Sequence, residues 1–129
     1  MAHASEDGTA TLETVLMVVV LLPVLFAILE LGDVYHRWLA QDAATAHAAR
    51  YAAEVGGDTP EVRALLGEAL RDSGIDPSAA VVEISPSRVG WREPITVSVR
   101  TDARLAIPFV LTTVLPVRSA ATGRGEVAR

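Results

Sequence analysis

Residues 12–31 read L-E-T-V-L-M-V-V-V-L-L-P-V-L-F-A-I-L-E-L, and no charge falls between positions 15 and 29. Wound as a helix, this run is apolar on every side. Twenty residues at about 1.5 Å each span roughly 30 Å, the thickness of a bilayer's hydrocarbon core. The pattern therefore predicts a transmembrane helix over about 12–31. Two other readings compete with it. A cleaved secretory signal needs a basic stretch ahead of the apolar run and small residues just after it. Residues 1–8 instead contain Glu6 and Asp7 with no Lys or Arg, and the run is followed by E-L-G-D-V at 30–34. A buried core helix needs a body large enough to cover all its faces, and 129 residues could hardly do so.

The helical pattern continues past the apolar run. It is expected to start near Ala10, to tolerate Pro23 with a kink, and to extend through the alanine-rich stretch after Gly32. Leu31, Tyr35, Trp38, Leu39, Ala46, Ala49 and Ala53 recur at three- and four-residue spacing, as a continuing helix requires. Gly56-Gly57 closes an element of about 45 residues. A second helix is predicted over 60–72, with Asp58 or Thr59 as cap, Pro60 in first position and Val62, Leu65, Leu66, Ala69 and Leu70 as its apolar stripe; Ser73-Gly74 ends it.

From there the period changes to two. Val82 and Ile84 share one face of a strand over 80–85, and Ile95, Val97 and Val99 alternate with polar residues in a strand over 95–100. The segment 86–94, with Gly90 and Trp91, reads as a hairpin loop between them. A third strand is expected over about 114–122, where Leu115, Val117 and Ser119 alternate; Pro116 weakens it or sends it to an edge. Residues 105–111, L-A-I-P-F-V-L, read as an apolar connection that packs on the sheet or touches the membrane. The fold class expected is α+β: one long N-terminal transmembrane helix, one further helix and a short antiparallel sheet of about three strands.

Charge and composition narrow the function. The net charge is −5, which disfavours nucleic acid as a partner because phosphates need a basic footprint. The absence of cysteine excludes disulfides and thiol catalysis. No phosphate-binding glycine loop, dinucleotide fingerprint, HExxH or nucleophile elbow is present, so no enzymatic activity, cofactor or small-molecule substrate is expected. His36 and His47 share a helix face without carboxylate or cysteine company, so they read as surface residues and not as a metal site. Arg37 and Arg50 carry no further signal. Trp91 reads as an anchor of its hairpin loop.

Four pieces of the chain together resemble the TadE-like family, pilin-related components of tight-adherence (Tad, or Flp) pilus and secretion systems. G-T-A-T-L-E at 8–13 resembles a prepilin-peptidase site, a glycine with a glutamate five residues later. L-P-V-L-F-A-I-L-E-L-G at 22–32 resembles the family's hydrophobic block. A-A-R-Y-A-A at 48–53 resembles the end of its long helix, and the small β-rich C-terminal part resembles the remainder. The resemblance implies a leader over 1–8, a long helix over 9–56, and a small extracytoplasmic domain over 57–129. It also implies a single-pass protein of the bacterial cytoplasmic membrane, with its C-terminal domain outside, that can enter an extracellular pilus. The partners implied are other pilin-like subunits packed on the helix, prepilin peptidase, the Tad assembly platform in the membrane, and lipid.

The resemblance assigns roles to single residues. Cleavage after Gly8 would make Thr9 the new N-terminus and move the net charge from −5 to −3 by removing Glu6 and Asp7. The Thr9 ammonium would lie about one turn from Glu13, the assembly and register residue, whose carboxylate can neutralise the N-terminal amine of a neighbouring subunit. Read without the family, Glu13 is a first-turn carboxylate favoured by the helix dipole. Pro23 would kink the membrane segment. Glu30, Tyr35 and Trp38 are interfacial; Glu30 lies about 25 Å along the helix from Glu13 and reads as a solvated carboxylate or a partner contact. A rival reading is a permanent, unprocessed membrane scaffold of a secretion apparatus, favoured by Thr14 after the glutamate and by the acidic leader. A secreted binding module is the remaining alternative.

Overall fold

The computed structural model describes residues 3–128, with side chains described over 8–128. Of the leader expected over 1–8, residues 1 and 2 lie outside the described residues. The element order is α1 (His3–Val55), α2 (Pro60–Asp72), a short 3-10 turn (Pro77–Ala79), then β1 (Val81–Ser85), β2 (Pro94–Ile107) and β3 (Leu111–Arg124). This is the α+β architecture expected, with an earlier helix start and longer strands. Helix α1 begins at His3 and not near Ala10, and at 53 residues it extends roughly 80 Å. No proline precedes Pro23, and the single Gly8 costs only about 1 kcal/mol, too little to stop a helix. At the other end, Gly56 adopts a left-handed φ of 85°, and the N–H groups of Gly56 and Gly57 both donate to the Ala52 carbonyl. That cap is the one the glycine pair predicts.

Helix α2 falls on the expected residues. Pro60 opens it and the Thr59 hydroxyl accepts from the Val62 N–H. The Glu61 carboxyl is held below its usual range by backbone N–H first and then by the Thr59 hydroxyl. Arg63 grips Asp58 through two hydrogen bonds, of 2.8 and 2.6 Å. Val62, Leu66 and Leu70 are buried, while Leu65 and Ala69 are half-buried beside them.

The three strands form one antiparallel sheet in the order β1-β2-β3. The 86–94 segment does connect β1 to β2 as a hairpin, and Trp91 in it is exposed. The sheet is not short. β2 and β3 are 14 residues each and pair without interruption from Pro94↔Arg124 to Ile107↔Leu111. Residues 105–107 and 111, expected in a connection, are therefore strand, and only 108–110 turn. Pro116 sits in β3, which is an edge strand, so its missing N–H interrupts no ladder on the outer side.

The sheet lies along the C-terminal half of α1. Ala44, Ala48, Ala49, Ala52 and Ala53 are buried against Val97, Val99 and Ile95 of β2, with α2 closing the other flank. Small residues are required because backbones meet here. A Cβ on Gly123 of β3 would stand 2.6 Å from the Ala49 carbonyl oxygen and 3.0 Å from the Ala53 Cβ. The buried line of the helix takes only part of the set recurring at three- and four-residue spacing. Ala49 and Ala53 belong to it, but Leu31, Tyr35, Trp38 and Leu39 are exposed, and Ala46 is half-buried. The buried line instead enters through Gln41 and Thr45, polar residues that meet the backbone of the sheet.

Candidate functional site

Residues 8–22 of α1 are exposed throughout. Fifteen large apolar side chains between positions 12 and 31 are exposed. Each would be worth about 1.5–3 kcal/mol if fully removed from water. Their sum exceeds the roughly 5–15 kcal/mol by which a domain is stable. This surface must be covered in the working state. The helix is long and apolar enough to cross a membrane.

The residues singled out by sequence are spread along this rod, not gathered in a pocket. Gly8 and Thr9 lie inside the helix, with unbroken helical backbone on both sides. Glu13 is exposed one turn beyond Thr9. Thr14 hydrogen-bonds back to the Ala10 carbonyl at 2.9 Å, which satisfies its hydroxyl within the helix. Pro23 lies within continuous helix and removes the hydrogen bond that the Val19 carbonyl would accept.

The interfacial group is where the rod meets the domain. Glu30 is not a freely solvated carboxylate. It is half-buried, and its Oε2 accepts the Ala106 N–H at 3.3 Å, tying β2 to the helix. Asp33 pairs with Arg37 at 2.9 Å on the exposed side. Tyr35 and Trp38 stack with ring centroids 5.8 Å apart. The Trp38 indole N–H also donates to the Arg118 carbonyl of β3 at 3.2 Å, so this side chain fastens the sheet edge as well as facing outward. Together with Leu31, Val34, Leu115 and Pro116 these rings line a shallow apolar groove between α1 and β3. His36, His47, Arg37 and Arg50 are all exposed, and no metal-ligating group forms among the described residues.

Sequence reasoning missed the joint above this group. Gln41 is completely buried. Its side-chain amide donates to the Val99 carbonyl (3.0 Å), the Val117 carbonyl (3.2 Å) and the Ser119 hydroxyl (3.1 Å), while its oxygen accepts from Thr101. Thr45 completes the cluster with Ser119 at 2.7 Å. One glutamine thus clamps β2 and β3 to the helix, three residues beyond Trp38. The signal was available: Gln41 and Thr45, four apart, lie on the face of Ala44, Ala48 and Ala52.

No curated protein and no solved structure matches the chain. Over residues 8–50, most of the half-free, half-clasped helix, the chain matches the model of the TadE-like protein family.

Proposed function

We propose that this protein is a minor pilin or pseudopilin-like membrane subunit acting in assembly of a Tad (Flp, type IVb-like) pilus or a related secretion system. The observation that carries the reading is the fully exposed apolar half of α1, held away from a folded domain. The TadE-like match over that helix supports the association with Tad pili. The work is assembly and not catalysis. The rod resides in the cytoplasmic membrane with its domain outside, and it packs on other pilin-like subunits through the apolar segment. Prepilin peptidase cuts between Gly8 and Thr9, and the new amine of one subunit pairs with Glu13 of the next. Neither charge is tolerable alone in an apolar surrounding, so the pair sets axial register more than it adds stability.

Glu13→Ala tests this directly. The variant should insert into membranes as the parent does and fail to co-purify with the pilus or its assembly platform. Normal pilus numbers with normal co-purification would sink the register role. The unprocessed scaffold is the second reading, and one observation favours it: helix α1 runs unbroken across the Gly8–Thr9 bond from His3. A bond inside a helix must unwind before a protease can reach it. The N-terminal residue and intact mass of the protein from host membranes separate the two. A chain beginning at Thr9 supports the pilin-like subunit; a chain retaining the leader supports the scaffold.

A further inference from the structure

The β2–β3 hairpin does not stop at the domain. Its contacts step down α1, from Gly123 beside Ala49 and Ala53, through Ser119 and Val117 at Gln41, to Ala106 at Glu30. The hairpin therefore points toward the N-terminal end of the helix. Beyond Ala106 it continues for about two more residues, or roughly 7 Å at strand spacing. That brings its tip level with the uncharged 15–29 segment of α1. The tip matches the segment in chemistry. Residues 105–117 carry no charge, and the run is bounded by Arg104 and Arg118, both exposed.

The turn itself is unusual. Val110 N–H donates to the Ile107 carbonyl across Pro108 and Phe109. Pro108 suits the first corner of such a turn, but the second corner has a left-handed φ of 64°, a position that favours glycine or asparagine. It is occupied by Phe109, a residue 104% exposed that packs on nothing in the chain. Val110 and Leu111 are exposed beside it. A bulky apolar ring held against the backbone's preference, with no intramolecular contact in return, points to a contact outside the chain.

We propose that this tip, residues 107–111, is a second membrane contact, seated in lipid beside the end of the membrane-spanning helix, with Phe109 as its anchor. The occupant is bilayer lipid because the tip lies alongside a segment whose own covering is lipid, at the depth where that segment ends. Arg104, about 10 Å above the tip along β2, is set at headgroup level, where its guanidinium meets lipid phosphate. The inference rests on the reading of α1 as membrane-spanning.

The chain has no cysteine, so single-cysteine variants can be labelled cleanly. Full-length protein would carry a nitrobenzoxadiazole probe at Val110→Cys, at Leu21→Cys in the helix, or at Trp91→Cys in the β1–β2 loop. Each would be reconstituted into vesicles of phosphatidylcholine and phosphatidylglycerol. The probe at 110 should shift to the blue, resist aqueous iodide and be quenched by spin-labelled lipid, as at 21, while the probe at 91 stays open to iodide. A probe at 110 that behaves like 91 while 21 is in lipid overturns the hairpin contact alone, and is the result expected if a protein partner covers the tip. A probe at 21 open to iodide overturns the membrane-spanning reading and the hairpin contact together. Adding Phe109→Asn, which suits the left-handed turn and removes the ring, should restore iodide quenching at 110. Unchanged protection in that variant would overturn Phe109 as the anchor.

Discussion

The two halves of α1 are one continuous helix built by opposite rules. From 12 to 31 the residues are mostly large, and nearly all are exposed; from 44 to 53 the buried ones are five alanines and Thr45. The large residues face a surrounding without fixed shape, where any apolar surface serves. The small ones face a sheet whose backbone comes within contact distance, as Gly123 against Ala49 shows. Residue size therefore distinguishes a surface meant for a fluid or exchangeable partner from one meant for a permanent partner. Hydrophobicity alone does not, since both halves are apolar.

The comparison can be broken from either side. The largest effect is expected for Leu21→Arg. An arginine at the centre of the free half should cost about 2.5–3.5 kcal/mol on insertion, enough to move most of the protein out of the membrane fraction. The domain should remain folded, because position 21 touches none of it. Loss of folding in that variant would show that the halves are not independent. Ala48→Leu reverses the experiment. Overpacking between α1 and the sheet should cost about 1–3 kcal/mol, read as a lower unfolding midpoint of the domain, with membrane association unchanged. An unchanged midpoint would mean that the sheet is not seated on the alanines. Gln41→Ala tests the joint between the halves. It leaves two buried strand carbonyls short of a donor, at about 1–2 kcal/mol, and should loosen the hairpin first. Amide exchange should then quicken in β2 and β3 near Thr101 and Val117 before it changes in α2.

How much of this was legible in sequence follows the same division. The free half announces itself, because nothing but a membrane-facing or packed helix explains fifteen uncharged positions in a row. Helix α2 was readable to the residue from Thr59, Pro60 and Ser73-Gly74, since caps are local chemistry. The clasped half was harder. Its spacing marked a helix without saying which residues are buried: of the spaced set Ala49 and Ala53 meet the sheet while Leu31, Tyr35, Trp38 and Leu39 are exposed, because the sheet selects for smallness and for one amide that reaches strand carbonyls. The hairpin was underestimated for a related reason. Residues 105–107 and 111 are all apolar, so period-two patterning vanishes in this part of β2 and at the start of β3. Glu30 looked solvated in sequence because its partner, the Ala106 N–H, is 76 residues away and belongs to the backbone.

The clasp also has a mechanical side. With the sheet bound along it from Glu30 to Ala53, the upper helix is splinted and resists bending. The lower helix has no splint, and at Pro23 it lacks one of the hydrogen bonds that stiffen a rod. Flexure under load concentrates there. A pull along α1 is therefore taken up below the domain, and α2 and the sheet travel as a rigid head on a compliant stem.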